Sequence, residues 1–408
     1  MKVLHTSDWH LGRTLYGRKC TAEFQLFLDW LIAEIDRQEA DCLLIAGDIF
    51  DSTTPSNTSQ SQYYSFLNNV SRTCCRHVII IGGNHDSPSL LNAPRQLLRQ
   101  LNVSIIGSKT DNPNDEVIVL YDQDNNTEAI ICAVPYLRDR DVRKALTYET
   151  IEEKALNLVD GIHKHYLEVL KIAEQKKGAS SEIPIIAMGH LFTAGGKVAD
   201  NTEVRDLYVG TLAHIPHSFF PEIIDYLALG HLHIAQNVGS NPTRRYSGSP
   251  LQLSFGRSNS QKTITAVTFS TNVSVDTIVV PQFLRLETIS GTSPKIHAAI
   301  DNLLAETGPI LIEVHYSGQN TARLRDELEK KVAGTHLELI RIIAPQAAGL
   351  MTQQNVNLES LEDLDESEVF KKCLEAYEVP ENEQMELKYC FTKILELIAE
   401  ESENEDHQ

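Results

Sequence analysis

The chain has 408 residues, more than an average domain holds, so we expect two or three structural units. Hydrophobic residues make up 42% of it, enough for a buried core, and no apolar run approaches the ~20 residues that cross a bilayer. The net charge of −20 argues against a uniformly basic surface, but 17 acidic and 4 basic residues from Glu359 onward (17 − 4 = 13) account for −13 of it. The composition therefore does not exclude DNA binding by the rest of the chain, and it predicts that the C-terminal segment does not touch DNA.

The N-terminal sequence turns polar too early for a signal peptide. The seven cysteines include no C-x-x-C pair, which argues against a zinc knuckle, and several lie in apolar runs, as reduced core cysteines do. We therefore expect a cytoplasmic protein with no membrane association.

Residues 1 to about 280 alternate short apolar runs with helical segments, which predicts a layered α/β domain. One amphipathic helix is expected around residues 24–35, where six apolar residues share a face, and a longer one over about 151–175. The predicted buried strands are Val3–Thr6, Cys42–Ala46, Val78–Ile81, Ile130–Val134, Ile185–Met188 and Tyr226–Leu229.

The pattern changes around Pro281. Residues 281–343 read as β-α-β-α-β and predict a small α+β capping domain. We expect its strands near Leu284–Ile289, Ile310–Tyr316 and Leu337–Ile343, with helices near Pro294–Glu306 and Asn320–Lys331. An acidic linker is expected over 344–365 and a helical tail over 366–408, with two short amphipathic helices around Pro380.

Five of the predicted strands end in a polar cluster. The clusters are Asp8-Trp9-His10, Gly47-Asp48-Ile49-Phe50-Asp51, Gly82-Gly83-Asn84-His85-Asp86, Gly189-His190 and Gly230-His231-Leu232-His233. Since sites in an open α/β sheet form beyond the carboxyl ends of its strands, we expect these clusters to converge on one edge. A mixed set of Asp, Asn and His suits Mn²⁺, Zn²⁺ or Fe, and the lack of cysteine argues against a structural zinc site.

Each cluster alone is a weak signal, and a single histidine such as His190 is more often an ordinary core or loop residue. The ordered set of five is what predicts a site. Among nearby residues, Arg13, Arg18 and Lys19 fit phosphate contacts and a solvated loop equally well, whereas Trp9 is expected to pack in the core.

The ordered set D-x-H, G-D-x-x-D, G-N-H-D, G-H and G-H-x-H resembles that of the calcineurin-like metallophosphoesterases. The resemblance implies a layered β-sandwich flanked by helices, with two divalent ions sharing one bridging Asp. By motif, Asp8, His10, Asp48 and His233 would hold one ion. By the same motifs, Asp48, Asn84, His190 and His231 would hold the other. His85 matches the family's histidine beside the scissile phosphate, and Asp51 would orient it.

Longer stretches, including residues 6–12, 47–52, 83–88, 228–233 and 246–250, are similar to the SbcD family of nuclease subunits. The phosphoprotein phosphatases of the superfamily instead carry Arg-Gly after G-D-x-x-D and Glu after G-N-H, where this chain has Ser52-Thr53 and Asp86. The resemblance therefore points to the DNA-repair nuclease branch.

This resemblance implies a 3′-to-5′ double-strand exonuclease and a single-strand or hairpin endonuclease that uses Mn²⁺, with Mg²⁺, Zn²⁺ and Fe as alternatives. It also implies action on double-stranded DNA ends and hairpins, and a homodimer within a heterotetramer with an SbcC-like ABC ATPase that has a coiled coil. The chain has no G-x-x-x-x-G-K-[ST] loop, so ATP hydrolysis would fall to that partner. Two other functions stay open: a small-molecule phosphodiesterase or phosphatase, and a non-catalytic scaffold for DNA ends.

Overall fold

The computed structural model describes residues 1–142, 150–178, 182–193, 219–255, 261–318 and 320–343. The predicted linker at 344–365 and the predicted tail at 366–408 lie outside the described residues. The helices are α1 (Thr21–Gln38), α2 (Asn57–Val70), α3 (Pro88–Asn92), α4 (Arg95–Leu98), α5 (Asp139–Val142), α6 (Ile151–Lys177), α7 (Ser293–Leu304) and α8 (Thr321–Val332).

Two six-stranded sheets form the centre of the first unit. In spatial order, the strands of the first sheet are β14 (Val273–Val279), β13 (Thr263–Phe269), β1 (Lys2–Thr6), β4 (Cys42–Ala46), β5 (His77–Ile81) and β6 (Val103–Ile106). Those of the second sheet are β11 (Gln236–Val238), β12 (Asn241–Tyr246), β10 (Tyr226–Gly230), β9 (Ile185–His190), β8 (Thr127–Ala133) and β7 (Val117–Tyr121). The central strands of each sheet are parallel, and antiparallel strands lie toward the edges.

The sheets stack face to face because their strands are apolar on both faces. In β4, Leu43 and Ile45 join the cluster that contains α1 and α2, whereas Leu44 joins Ile131 and Ile186 between the two sheets. A third apolar cluster packs α6 onto the outer face of the second sheet. The resulting order is helix, sheet, sheet, helix, which confirms the predicted layered α/β architecture.

The predicted face of α1 is buried as expected, through Phe24, Phe27, Leu28, Leu31 and Ile35. The helix ends where Glu39 takes a left-handed conformation, with φ of 52°. At the start of α6, Thr150 and Glu153 form a reciprocal capping box that satisfies two backbone N–H groups.

A three-stranded sheet follows the first unit. Its strands β15 (Arg285–Gly291), β16 (Ile310–Tyr316) and β17 (Leu337–Ile343) are parallel, and α7 and α8 form the crossovers between them. This unit, called the capping domain below, has its own apolar cluster. Its residues Leu286, Leu311 and Ile340 also pack into the core of the first unit, so the two units share a continuous apolar contact.

Several strands were not among the predicted ones, notably β6, β7 and β11 to β14. A two-stranded hairpin, β2 (Thr14–Leu15) and β3 (Arg18–Lys19), was also not predicted.

Within the described part of the chain, no helix combines the length and the apolar character needed to span a membrane.

Candidate metal centre

The five polar clusters meet where the carboxyl ends of strands from both sheets face each other. Asp8 follows β1, Asp48 follows β4 and Asn84 follows β5, all in the first sheet, whereas His190 ends β9 and His231 follows β10 in the second. The expectation of a single sheet edge was therefore wrong: the site lies between two stacked sheets. The contact of His190 Nδ1 with the carbonyl oxygen of Ala46, at 2.9 Å, crosses from one sheet to the other.

The backbone at the site is held in an unusual conformation. Asp8, His10 and Asp48 have φ of 54°, 51° and 51°, and His231 has φ of 102°. Such angles are unfavourable for residues other than glycine. They persist where the surrounding structure imposes them, often at functional sites. Four of the predicted ligands thus occupy backbone conformations that sequence propensity alone disfavours.

Glycines before the ligands let the strand ends approach one another. A Cβ atom on Gly83 would overlap the backbone and carboxylate of Asp48, and one on Gly230 would overlap the carbonyl of Ala46 and contact the ring of His190. The absence of a side chain at these two positions is what allows the clusters after β4, β5 and β10 to share one space.

One group of possible ligands consists of Asp48, Asn84, His190 and His231. The Nδ1–H of His190 donates to the Ala46 carbonyl, so a neutral His190 presents a lone pair at Nε2. That Nε2 lies 3.0 Å from Asn84 Oδ1 and 3.2 Å from Asp48 Oδ2. The Nδ1 of His231 is also 3.0 Å from Asn84 Oδ1. Lone pairs that converge in this way suit a shared cation.

A second group consists of Asp8, His10 and His233, with Asp48 beside them. The Nε2 atoms of His10 and His233 are 3.1 Å apart, and His10 Nε2 lies 3.6 Å from Asp48 Oδ2. Asp8 is held by the N–H of His231, 2.9 Å from its Oδ1, and by the hydroxyl of Ser7. Ligand-forming atoms of Asp8, His10 and His233 lie within 4.8 Å of one another, as do those of Asp48, His190 and His231.

The residues present fit two divalent cations. Each group offers oxygen and imidazole nitrogen, which suits borderline ions, and Asp48 lies between the groups, where an anionic bridge is needed. Burial raises the pKa of the Asp48 carboxyl, but His190, then His10 and His85, outweigh it and hold that pKa well below its usual range. Burial lowers the pKa of His190, but Asp48 outweighs it and raises that pKa to about 9. Burial and the neighbouring His190 lower the pKa of His231 to about 3.

His85 lies at the edge of the centre, partly exposed. Its ring is 4.9 Å from that of His10, and its Nδ1–H donates to the backbone carbonyl of Asp51 at 3.1 Å, which leaves Nε2 available. The contact between His85 and Asp51, which the motif predicts, is made by the backbone carbonyl of Asp51 and not by its side chain. The Asp51 carboxylate instead lies 3.2 Å from His10 Nδ1 and 3.1 Å from Arg13. His85 also lies within ligand distance of His10 and Asp48, so geometry alone allows it as a ligand.

Asp86 is a site residue to which sequence reasoning gave no role. Its buried carboxylate accepts the backbone N–H groups of Gly83, Ile49 and Phe50, at 2.8, 3.2 and 3.0 Å. It therefore ties the loop after β5 to the loop after β4. Burial and the nearby Asp48 raise its pKa to about 6. The signal available in the sequence was its place directly after G-N-H.

Of the three cations that follow the first motif, two pair with carboxylates and Lys19 is exposed. Arg13 pairs with Asp51, and Arg18 pairs with Glu23 at 2.5 Å. Trp9 is fully buried, as predicted, with its ring packed edge-on against Phe27 and Phe66.

Comparison with known proteins covers nearly the whole chain. Residues 1–235 match the calcineurin-like phosphoesterase family, and residues 282–378 match the type 5 capsule protein repressor C-terminal domain. The SbcD component of the SbcCD nuclease from Escherichia coli (strain K12) is 32% identical over 413 residues, covering 99% of this chain and 100% of that protein. The corresponding SbcD protein from Rhodobacter capsulatus is 32% identical over 320 residues, covering 76% and 77%.

A solved dimetal phosphatase from Danio rerio is far more distant. It is 11% identical and has a TM-score of 0.38 over 69% of this chain and 97% of its own. The family match to residues 1–235 and the full-length relative together settle the assignment: the chain belongs to the calcineurin-like phosphoesterases and, among them, to the SbcD family of nuclease subunits.

Proposed function

We propose that this chain is a metal-dependent DNA nuclease, a phosphodiester hydrolase that acts in a complex with an SbcC-like ATPase. The observation that carries the proposal is the pair of ligand groups that share Asp48. The proposal is further supported by relatives that are components of the SbcCD nuclease and match this chain over most of its length.

In the proposed assignment, Asp8, His10 and His233 hold one divalent ion, Asn84, His190 and His231 hold the other, and Asp48 contacts both. When bound, the two ions would lower the pKa of a water toward ~7 and neutralise charge on the phosphate. We propose Mn²⁺ as the native ion. Oxygen and imidazole ligands of this kind also accept Mg²⁺, Zn²⁺ or Fe.

The remaining chemistry falls to His85 and its support. The Asp51 carbonyl fixes the tautomer that carries a proton on Nδ1, so Nε2 of the protonated ring can donate to the departing oxygen of the cleaved strand. Histidine is the side chain best suited to this transfer at neutral pH. The Asp51 carboxylate orients His10 through Nδ1, so that Nε2 of His10 points into the centre.

We propose double-stranded DNA ends and hairpins as substrates, cut by 3′-to-5′ exonuclease and endonuclease action. We further propose that residues 1–280 form the nuclease domain and 281–343 the capping domain, and that the tail at 366–408 binds the ATPase in a heterotetramer with two copies of this chain. Residues 282–378 match one C-terminal family model, which supports a role of this region that related chains share.

The deciding experiment compares two substrates. With Mn²⁺, purified protein should release nucleotides from linear duplex DNA, and it should turn over bis-(p-nitrophenyl) phosphate far less efficiently. Efficient turnover of the small diester without DNA cleavage would favour the small-molecule phosphodiesterase. DNA binding with no hydrolysis of either substrate would favour the non-catalytic scaffold.

The two-ion assignment has its own test. Asp48→Ala should remove both ions, because Asp48 contacts both groups, whereas His233→Ala should weaken mainly one. Metal content of the purified variants, measured by mass spectrometry, reports this directly. Two full ions in Asp48→Ala would rule out the bridging role.

A further inference from the structure

A short hairpin lies between the candidate metal centre and the capping domain. It consists of residues 14–19, with β2 paired to β3. Its two-residue loop, Tyr16 and Gly17, has φ of 50° and 90°, the positive values that tight hairpin loops favour. The hairpin begins four residues after His10, so one segment carries both a candidate ligand and this projection.

The base of the hairpin contacts the support of that ligand. Arg13, directly before β2, has its guanidinium 3.1 Å from Asp51 Oδ1. The same oxygen lies 3.2 Å from His10 Nδ1, whose other ring nitrogen faces His233 at 3.1 Å. Arg13 therefore contacts the same carboxylate oxygen that lies beside a candidate ligand.

The tip of the hairpin contacts the last strand of the capping domain. The guanidinium carbon of Arg341 lies 3.7 Å from the centroid of the Tyr16 ring, a cation–π contact. Beside it, Arg18 Nε lies 3.3 Å from Glu338 Oε2. Both capping-domain side chains belong to β17.

A bulge explains why two residues three apart on β17 reach the same hairpin. The register pairs Leu339 with Ile312 and Arg341 with Glu313, which leaves Ile340 as an extra residue. Side chains at i and i+3 of a regular strand point to opposite faces, and one extra residue restores the same face. Ile340 packs against the core of the first unit, and Arg341 is also paired with Glu313.

We propose that this hairpin couples the position of the capping domain to the metal centre, with Arg13 as a positioning residue for His10. The proposal rests on the function proposed above, because it concerns the ion assigned to His10. In the chain, β17 leads directly into residues 344–408, so a partner that pulls on that segment acts first on the strand that contacts the hairpin. Displacement of β17 would then break the contacts of Tyr16 and Arg18 with the capping domain. It would also loosen the successive contacts from Arg13 through Asp51 to His10.

The test is Mn²⁺ binding to the full-length chain, followed by calorimetry, with two ions expected for the wild type. Arg341→Gln and Tyr16→Asn break the same contact from opposite sides, and asparagine tolerates positive φ, so the turn should persist. Each variant should weaken the binding of one of the two ions by about two- to fivefold, the equivalent of an exposed cation–π contact. Arg13→Gln should weaken the binding of the same ion by about tenfold. Arg13→Lys, which keeps the charge, should recover part of the affinity.

Arg323→Gln is the matched control, since Arg323 is an exposed cation of the capping domain paired with Glu327 on its own helix. It should bind both ions like the wild type. In the double variant Arg13→Gln with Arg341→Gln, the two losses should not add, because both act through one series of contacts. Wild-type affinity in Arg341→Gln and Tyr16→Asn, with thermal unfolding showing both folded, overturns the coupling alone. A wild type that does not bind two ions overturns the proposed function, and the coupling with it.

Discussion

His85 is the residue at which substrate binding and bond cleavage can be separated. Its ring is held by the Asp51 carbonyl, and its Nε2 is available for proton transfer. We expect His85→Gln to keep both ions and DNA affinity but to lose about 10²–10⁴-fold in cleavage rate. Metal counting, a DNA-binding titration and single-turnover cleavage check the three parts.

His85 also lies within ligand distance of His10 and Asp48. A loss of one ion in His85→Gln would therefore show that His85 is a metal ligand and not the proton donor. His10→Gln serves as the comparison, because it should lose metal first and activity as a consequence.

His5 gives the fold a predictable dependence on pH. It is fully buried in β1 with Nδ1 2.8 Å from the Tyr226 hydroxyl, and burial, together with Arg245, lowers its pKa to about 3. Between pH 6.5 and that value the unfolded chain binds a proton at this position and the folded chain does not. Its contribution to the free energy of unfolding should therefore fall as the pH falls, by about 1.4 kcal/mol per pH unit.

Urea unfolding of the metal-free protein between about pH 5 and 7 measures this slope. His5→Gln should reduce it by about 1.4 kcal/mol per pH unit, the contribution of one proton. An identical slope in wild type and His5→Gln would show that His5 is not the group responsible.

At the scale of elements, the loops after β4 and β5 depend on one carboxylate. Asp86 accepts three backbone N–H groups from these loops, and an amide in its place offers one accepting oxygen instead of two. Asp86→Asn should therefore lower the free energy of unfolding by about 1–3 kcal/mol and weaken Mn²⁺ binding, because the loops carry Asp48 and Asn84.

Asp122→Asn is the matched control for this change. Asp122 also accepts backbone N–H groups, from Asp124 and Asn126, but in a turn at the surface, where water can replace them. Urea unfolding and calorimetry with Mn²⁺ should show little effect there. Equal destabilisation by the two variants would mean that burial of Asp86 is not what makes it important.

At the scale of the whole molecule, residues 1–343 contain the apolar clusters of both described units. A chain truncated after residue 344 should therefore stay folded and bind metal, with basal Mn²⁺-dependent nuclease activity. It should lose stable association with the ATPase, and with it ATP-dependent cutting. Pull-down and cleavage with and without ATP test this. Full-strength association would refute the docking role of the tail, and an unfolded truncation would show that the tail instead packs on its own nuclease domain.

The amino-acid sequence by itself determined the central strands and the polar clusters that the fold brings together. The bounds of β4 and β16 match their predictions, because a strand that is buried on both faces is largely apolar and local composition reveals it. The bounds of β17 match as well, although most of that strand is only partly buried. The polar clusters were visible for the same reason, since each directly follows such a run. Strands β12 and β14 were not predicted, because these partly exposed strands near the sheet edges lack that continuous apolar signal.

Tertiary structure alone decided which groups meet. The stacking of two sheets places His190 against Ala46, 144 residues away, and the Asp51 carboxylate pairs with His10 rather than His85. The contact of Arg18 with Glu338 spans 320 residues. Sequence periodicity records only whether a side chain faces a core, whereas these contacts depend on how sheets stack and which way each loop turns, so no local pattern encodes them.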